Sequence, residues 1–208
     1  MYVPPHFKED RIDVLHDAIR RAGLATLVTL NADGLVASHL PLLLDPAPAP
    51  YGTLVGHLAR PNQQLRGIDA NVSALMIFQG PDGYITPSWY GAKQETGKVV
   101  PTWNYVAVHA HGPIEFFEDA DRLLEVVTRL TNLHEGERVL PWAVSDAPAD
   151  FIQSQLKGIV GLRMPITKLE GKRKMSQNRN AADRAGVVAG LSSSDRPSDR
   201  EVAPLIPL

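Results

Sequence analysis

The run Val99 to Gly112, Val-Val-Pro-Thr-Trp-Asn-Tyr-Val-Ala-Val-His-Ala-His-Gly, narrows the choice of fold more than any other stretch. From Tyr105 onward it alternates. Tyr105, Ala107, His109 and His111 fall on one face, and Val106, Val108 and Ala110 on the other. A period of two with one apolar face predicts a strand. Pro101 fixes the approach to it, and Trp103, Asn104 and Tyr105 bring flat rings and an amide to its mouth. Rings on a loop that enters a rigid strand suit a ligand wall, and they serve equally as core anchors for a sheet.

Strand patterns dominate the first two thirds of the chain. A helix over Asp10–Ala22, with Ile12, Leu15, His16 and Ile19 on one side, ends at Gly23. Leu24–Leu30 and Leu35–Leu44 read as a hairpin about the Asn31-Ala32-Asp33-Gly34 turn, with Pro41 marking an edge or a bulge. Thr53–Leu58 predicts a third strand, Pro61–Gly67 a short helix and Val72–Gln79 a buried fourth strand, after which Gly80-Pro81-Asp82-Gly83 reverses the chain. Tyr84–Tyr90 is a second aromatic segment and Gly91–Lys98 a mobile loop. A strand over Pro113–Phe117, helices from Asp119 or Asp121 to about Glu135 and over Pro148–Leu156, and a strand over Gly158–Leu169 broken at Pro165 follow. Lys168–Arg184 is basic, Asn180–Leu191 helical, and Ser192–Leu208 flexible or docked on a partner. Short strands joined by turns predict a mainly β protein with peripheral helices, an antiparallel barrel closed or nearly so.

Composition excludes several classes. Cysteine is absent, which removes disulfides, thiolate metal sites and a cysteine nucleophile. The net charge of −2 argues against a surface wholly devoted to nucleic acid, while leaving room for a local basic patch. No apolar run approaches the roughly 20 residues that span a bilayer. Pro4 and Pro5, followed by charges, are unlike a signal peptide, so a cytoplasmic protein without a membrane partner is expected.

Three constellations carry chemistry. Arg60 beside the strand-to-helix junction at Pro61 could meet a phosphate, or simply belong to a capped turn. Lys174, Ser176, Gln177 and Asn178 are a dense set of donors that suits a phosphate or an amide-rich ligand, or else a solvated turn capping a helix from Asn178 or Asn180. His109 and His111, with His39 and His57 elsewhere, could ligate metal, but a hydrogen-bonded role is the simpler reading and no metal is assigned. Gly-x-Ser-x-Gly, Gly-x-Gly-x-x-Gly and Walker-type loops do not occur.

Six ordered blocks bring in a family. Met-Tyr-Val-Pro-Pro-His-Phe at Met1–Phe7, Ala-Ser-His-Leu-Pro-Leu at Ala37–Leu42, Gly-His-Leu-Ala-Arg-Pro-Asn at Gly56–Asn62, Pro-Ser-Trp-Tyr at Pro87–Tyr90, Val-Pro-Thr-Trp-Asn-Tyr at Val100–Tyr105 and Lys-Met-Ser-Gln-Asn-Arg at Lys174–Arg179 resemble the PaiB-like proteins, FMN-binding negative transcriptional regulators. That resemblance implies the FMN-binding split barrel, a homodimer with FMN at the subunit interface. By analogy Ser38, His39, Leu40 and Pro41 would lie along the flavin ring, and His57, Arg60 and Asn62 nearer the ribityl chain and phosphate. Trp89, Tyr90, Trp103 and Asn104 would line the ring, and Lys174, Ser176 and Gln177 would complete the cofactor set. The arginine–lysine pair that grips phosphate in the related oxidases does not follow the third strand here.

The resulting expectation is a split-barrel FMN-binding domain over residues 1–170 and a basic C-terminal segment with a helix and a flexible tail over 171–208. Its function would be that of a PaiB-like regulator with flavin-dependent redox activity. The alternatives are a flavin reductase using a nicotinamide donor, a regulatory module that meets DNA through the basic segment without flavin, and a haem-binding protein.

Overall fold

The computed structural model describes residues 1–208. Its elements are β1 (Lys8–Glu9), α1 (Ile12–Arg21), β2 (Ala25–Asn31), β3 (Gly34–Leu40), β4 (Leu43–Asp45), β5 (Thr53–Ala59), β6 (Ala74–Ile85), α2 (Ala92–Thr96), β7 (Thr102–Gly112), β8 (Glu115–Phe117), α3 (Ala120–Glu135), α4 (Ala149–Leu156), β9 (Ile159–Pro165), β10 (Lys168–Lys174), α5 (Ala181–Ser192) and α6 (Pro197–Val202). The strands form open antiparallel sheets, so the mainly β expectation holds while the cylinder is not closed. No helix is long and apolar enough to cross a membrane.

The chain divides into two compact units. One comprises residues 1–18, 79–108 and 170–208, the other 19–78 and 109–169. In the first, the strand order is β1-β10-β7-β6, with Lys8 opposite Lys172 and Glu9 opposite Gly171. Its core gathers Ile85, Tyr90, Met175, Val187, Leu191, Val202, Ala203 and Ile206. Asn180 caps α5 by accepting from the Asp183 amide at 2.8 Å, which decides between the two caps, Asn178 and Asn180, that the sequence offers. The Ser- and Pro-rich end, expected to be flexible or docked on a partner, instead forms α6 and buries Val202 and Ile206 in this core.

In the second unit β3 pairs with β2 and β2 with β6, in register Thr26–His39, Val28–Ala37 and Leu30–Leu35. A second sheet runs β4-β5-β9-β8. Leu43, Val55, Val126 and Leu130 form a cluster between β4, β5 and α3, reinforced by an ion pair between Arg129 and Asp45. Asp119 caps α3 by accepting from the Arg122 amide at 2.9 Å.

Several expectations need correction. The predicted strand Leu35–Leu44 breaks after Leu40, because Pro41 has no amide to give the ladder. The predicted helix Pro61–Gly67 shrinks to a 3₁₀ turn over Gln63–Leu65, capped by Asn62. A short helix, α2, stands where Gly91–Lys98 reads as loop. Gly80–Gly83 does not reverse the chain but runs on as the middle of β6. There the burial alternation changes parity, from Ala74, Met76 and Phe78 to Gly83 and Ile85, as an irregular residue inside a strand requires. Gly80 also lets a neighbouring strand close in, since a Cβ there would stand 3.0 Å from that of Val106. Finally, Lys168–Lys174 is a sheet strand rather than the start of a tail.

Candidate functional site

The residues that the sequence singles out fall into two groups, one in each unit. In the second unit, Ser38 lies on β3 and Asn62 at the 3₁₀ turn. Asn62 donates from Nδ2 to Ser38 Oγ at 2.9 Å and accepts from the Gln64 amide at 2.9 Å. Leu40 is a core residue, whereas His39 is on the opposite face of the strand and exposed. Gly56 permits a tight crossing, because a Cβ there would stand 2.9 Å from the Pro41 carbonyl oxygen. Arg60 is occupied locally. It donates to the carbonyls of Lys157 (2.7 Å) and Ile159 (3.3 Å) and pairs with Glu118 at 2.9 Å.

His57 carries a buried Nδ1 without a hydrogen-bond partner, and burial pushes its imidazole below its ordinary range. The unfolded chain, with a value near 6.5, then takes up the proton first. Stability is therefore lost as pH falls below about 6.5 towards the folded value. We expect the melting temperature of the wild type to drop between pH 7.5 and 5 by more than that of His57→Gln, as read by circular dichroism.

In the first unit, β7 and the exit of β10 build a cavity of about 170 Å³. Tyr90, Asn104, Lys174 and Ser176 line it, together with Phe7, Val100, Pro101, Thr102, Asn178 and Arg179. Asn104 is fully buried on the apolar face of β7 and donates from Nδ2 to Ser176 Oγ at 3.0 Å. Ser176 is the one non-glycine residue with positive φ, at 59°. Gln177 stands behind it and buckles the turn: its Oε1 accepts from the Met175 amide at 2.7 Å and its Nε2 donates to the Arg173 carbonyl.

Lys174 donates to Thr102 Oγ1 and lies 5.9 Å from the centre of the Phe7 ring. Burial, then the charges of Lys172 and Arg179, hold its ammonium below the ordinary lysine range. The Arg179 guanidinium stacks on the Tyr90 ring at 4.5 Å. The Tyr90 hydroxyl is buried without a well-formed hydrogen bond, and burial raises its pKa against the opposing charge and donor of Arg179. Two cations, a buried phenol and no carboxylate line this cavity, which leaves it with positive charge and no negative charge to balance it. Phe7, Thr102 and Arg179 were not singled out from sequence as site residues, although all three fall inside the six family blocks.

The remaining rings do other work. Trp89 packs on α5, where Gly186 and Gly190 make room for it. Trp103 is half exposed and meets Tyr84 edge-on with ring centres 5.8 Å apart.

This architecture recurs among proteins of the split-barrel flavin-binding class. Two solved structures share the fold over most of the chain. One is an FAD- and haem-binding protein of Mycobacterium smegmatis, with 15% identity and TM-score 0.60, covering 94% of this chain and 96% of that one. The other is the flavocytochrome Anf3 of Azotobacter vinelandii, with 11% identity and TM-score 0.60, covering 88% and 78%. The family described as "Putative FMN-binding domain" matches residues 1–168. The protease synthase and sporulation protein PAI 2 of Bacillus subtilis is 33% identical over 206 residues, covering 99% of this chain and 96% of its own. The chain belongs to this PaiB-like FMN-binding family. FMN is the cofactor the family domain specifies, and the two cations of the cavity match the anionic phosphate that FMN carries.

Proposed function

We propose that this protein is a homodimeric FMN protein that acts as a PaiB-like regulator through the occupancy or redox state of its flavin. The observation that carries the reading is the cavity in the first unit, with its unbalanced positive charge. When bound, the flavin supplies the redox chemistry and the protein positions it. Lys174 and Arg179 furnish fixed positive charge, Ser176 orients the Asn104 amide, and the buried Phe7 and Tyr90 wall one side of these groups.

The dimer draws its support from the second unit. One face of the β3-β2-β6 sheet carries the opposed pairs Leu30–Leu35 and Val28–Ala37, with Leu75 beside Val28. Leu35 is 78% exposed. A contiguous apolar sheet face of this kind is an interaction surface. Replacing both Leu30 and Leu35 by Glu is expected to convert a two-chain species into single chains, as measured by light scattering. An unchanged mass would remove this face from the interface.

Regulation by direct DNA contact through residues 168–184 draws less support, because that segment's cations are used internally. Lys172 donates to the Tyr2 carbonyl (3.1 Å), Arg173 to that of Leu205 (3.2 Å) and Arg184 to that of Arg179 (2.9 Å). Binding to duplex DNA with a steep salt dependence would reinstate it. The primary test is an absorbance scan of the freshly purified protein. Flavin bands are expected; a Soret band, or a spectrum that stays featureless after incubation with FMN, would overturn the reading.

A further inference from the structure

We propose that the cavity bounded by Tyr90, Thr102, Asn104, Lys174, Ser176 and Arg179 is an oxyanion site whose ligand is a phosphate monoester. The inference rests on the FMN reading and deepens it, since the phosphate can be that of FMN itself or of a separate small molecule.

Four observations on the first unit converge. The lining offers Lys174 and Arg179 and no carboxylate, so the positive charge has no counter-ion within the cavity. Tyr90 is only 2% exposed, and its buried hydroxyl makes no well-formed hydrogen bond, with the Arg179 guanidinium as the donor that pulls on it. A buried hydroxyl left without such a bond costs free energy that an incoming acceptor recovers. Size is the third point. About 170 Å³ lies below the roughly 300 Å³ at which sites for drug-sized ligands begin, so the space suits a compact anionic group better than a whole isoalloxazine. The fourth is pre-organisation. Ser176 is held at φ 59° by the Gln177 buckle, and its hydroxyl fixes Asn104. The donors thus stand in place before any ligand arrives.

Lys174 identifies the charge of that ligand. Thr102 accepts one of its protons, leaving others free, while Lys172 and Arg179 repel it. A dianionic phosphate relieves that repulsion and accepts from Lys174, Arg179 and Tyr90 together through charge-assisted bonds. The neutral alternative, a lysine simply snorkelling over Phe7, accounts for the aliphatic stem and leaves the Tyr90 hydroxyl unexplained.

The test compares FMN, riboflavin and inorganic phosphate on the full-length protein. Flavin fluorescence quenching gives the flavin affinities, and the melting temperature with and without phosphate gives the response to the anion. If the phosphate is that of FMN, the wild type binds FMN at least about tenfold more tightly than riboflavin, the scale of one charge-assisted bond. Inorganic phosphate then competes with FMN, and Lys174→Met erases the preference. If the phosphate belongs to a second molecule, FMN and riboflavin bind alike. Inorganic phosphate then raises the melting temperature of the FMN-loaded protein, and Lys174→Met abolishes that rise. In either case Lys174→Arg, which keeps the charge, restores the response, and matching circular dichroism spectra confirm that the variants fold. The proposal is overturned if phosphate neither competes nor stabilises, or if its effect survives Lys174→Met. A wild type that binds no flavin, yet is stabilised by phosphate through Lys174, would retain the oxyanion site and discard the FMN reading.

Discussion

Gly186→Ala is expected to loosen the first unit by about 3 kcal/mol, at the upper end of what overpacking costs. A Cβ at this position would fall on the carbonyl oxygen of Trp89, well inside van der Waals contact. Backbone cannot rotate away as a side chain can, so α5 itself must lift from the turn at Pro87–Trp89. That movement withdraws Val187 and Leu191, both fully buried, from the core they share with Tyr90 and Met175. Tyr90 also lines the cation-bearing cavity, so flavin affinity should fall together with stability. In a chain of this size the melting temperature should drop by about 6–12 °C. Gly23→Ala is the control: nothing lies within 4 Å of the place its Cβ would take and its φ is not positive, so little change is expected. Equal melting temperatures for the two variants would mean that α5 is not seated against Trp89 as described.

The parts of this molecule that local chemistry determines were legible in the sequence. Alternation places Val108 and Ala110 on the buried face of β7, and the starts of α3 and α5 are each marked by two candidate caps, Asp119 or Asp121 and Asn178 or Asn180, of which Asp119 and Asn180 make the capping bond. What escaped was set by partners distant in the chain. Arg60 beside a strand-to-helix junction has the local look of a phosphate ligand, yet its carbonyl partners at Lys157 and Ile159 are 97 and 99 residues away. The residues of β10 look like a solvated basic tail. In the structure the Lys172 ammonium lies 5.5 Å from the Tyr2 ring and 5.1 Å from the Tyr105 ring, so its stem is covered and its head is paired. Gly80–Gly83 has turn chemistry, but β6 continues through it because the ladder outweighs a local preference. Of the candidate site, Lys174, Ser176, Tyr90 and Asn104 follow from the family blocks and do share one cavity. Arg179 was passed over because an arginine's charge alone does not reveal that it will stack on Tyr90.

Gln64→Leu should have the corresponding effect on the second unit, about 2–4 kcal/mol, although the two side chains are close in size. Gln64 is fully buried, and its Nε2 donates to the Leu27 carbonyl (3.2 Å), Thr29 Oγ1 (3.0 Å) and the Val36 carbonyl (3.1 Å). Removing the donor leaves buried acceptors on both strands of the hairpin without it, at roughly 1–3 kcal/mol for each that finds no substitute. The loss spreads, because Thr29 Oγ1 donates onward to Asn31 Oδ1 at 2.7 Å, and Asn31 in turn donates to the carbonyls of Gln64 and Arg66. The same turn holds Asn62 against Ser38, so the strand segment Ser38–Leu40 should become mobile. Hydrogen exchange would show this as faster exchange at amides 27–40, with those of α5 unchanged. Gln64→Glu separates the mechanisms. It keeps the shape of the side chain while offering no amide protons, so above its own pKa it should destabilise by more than leucine, because it adds a buried charge that faces acceptor oxygens. A glutamate variant as stable as the wild type would show that the side chain merely fills space, and that the hairpin does not depend on the donor.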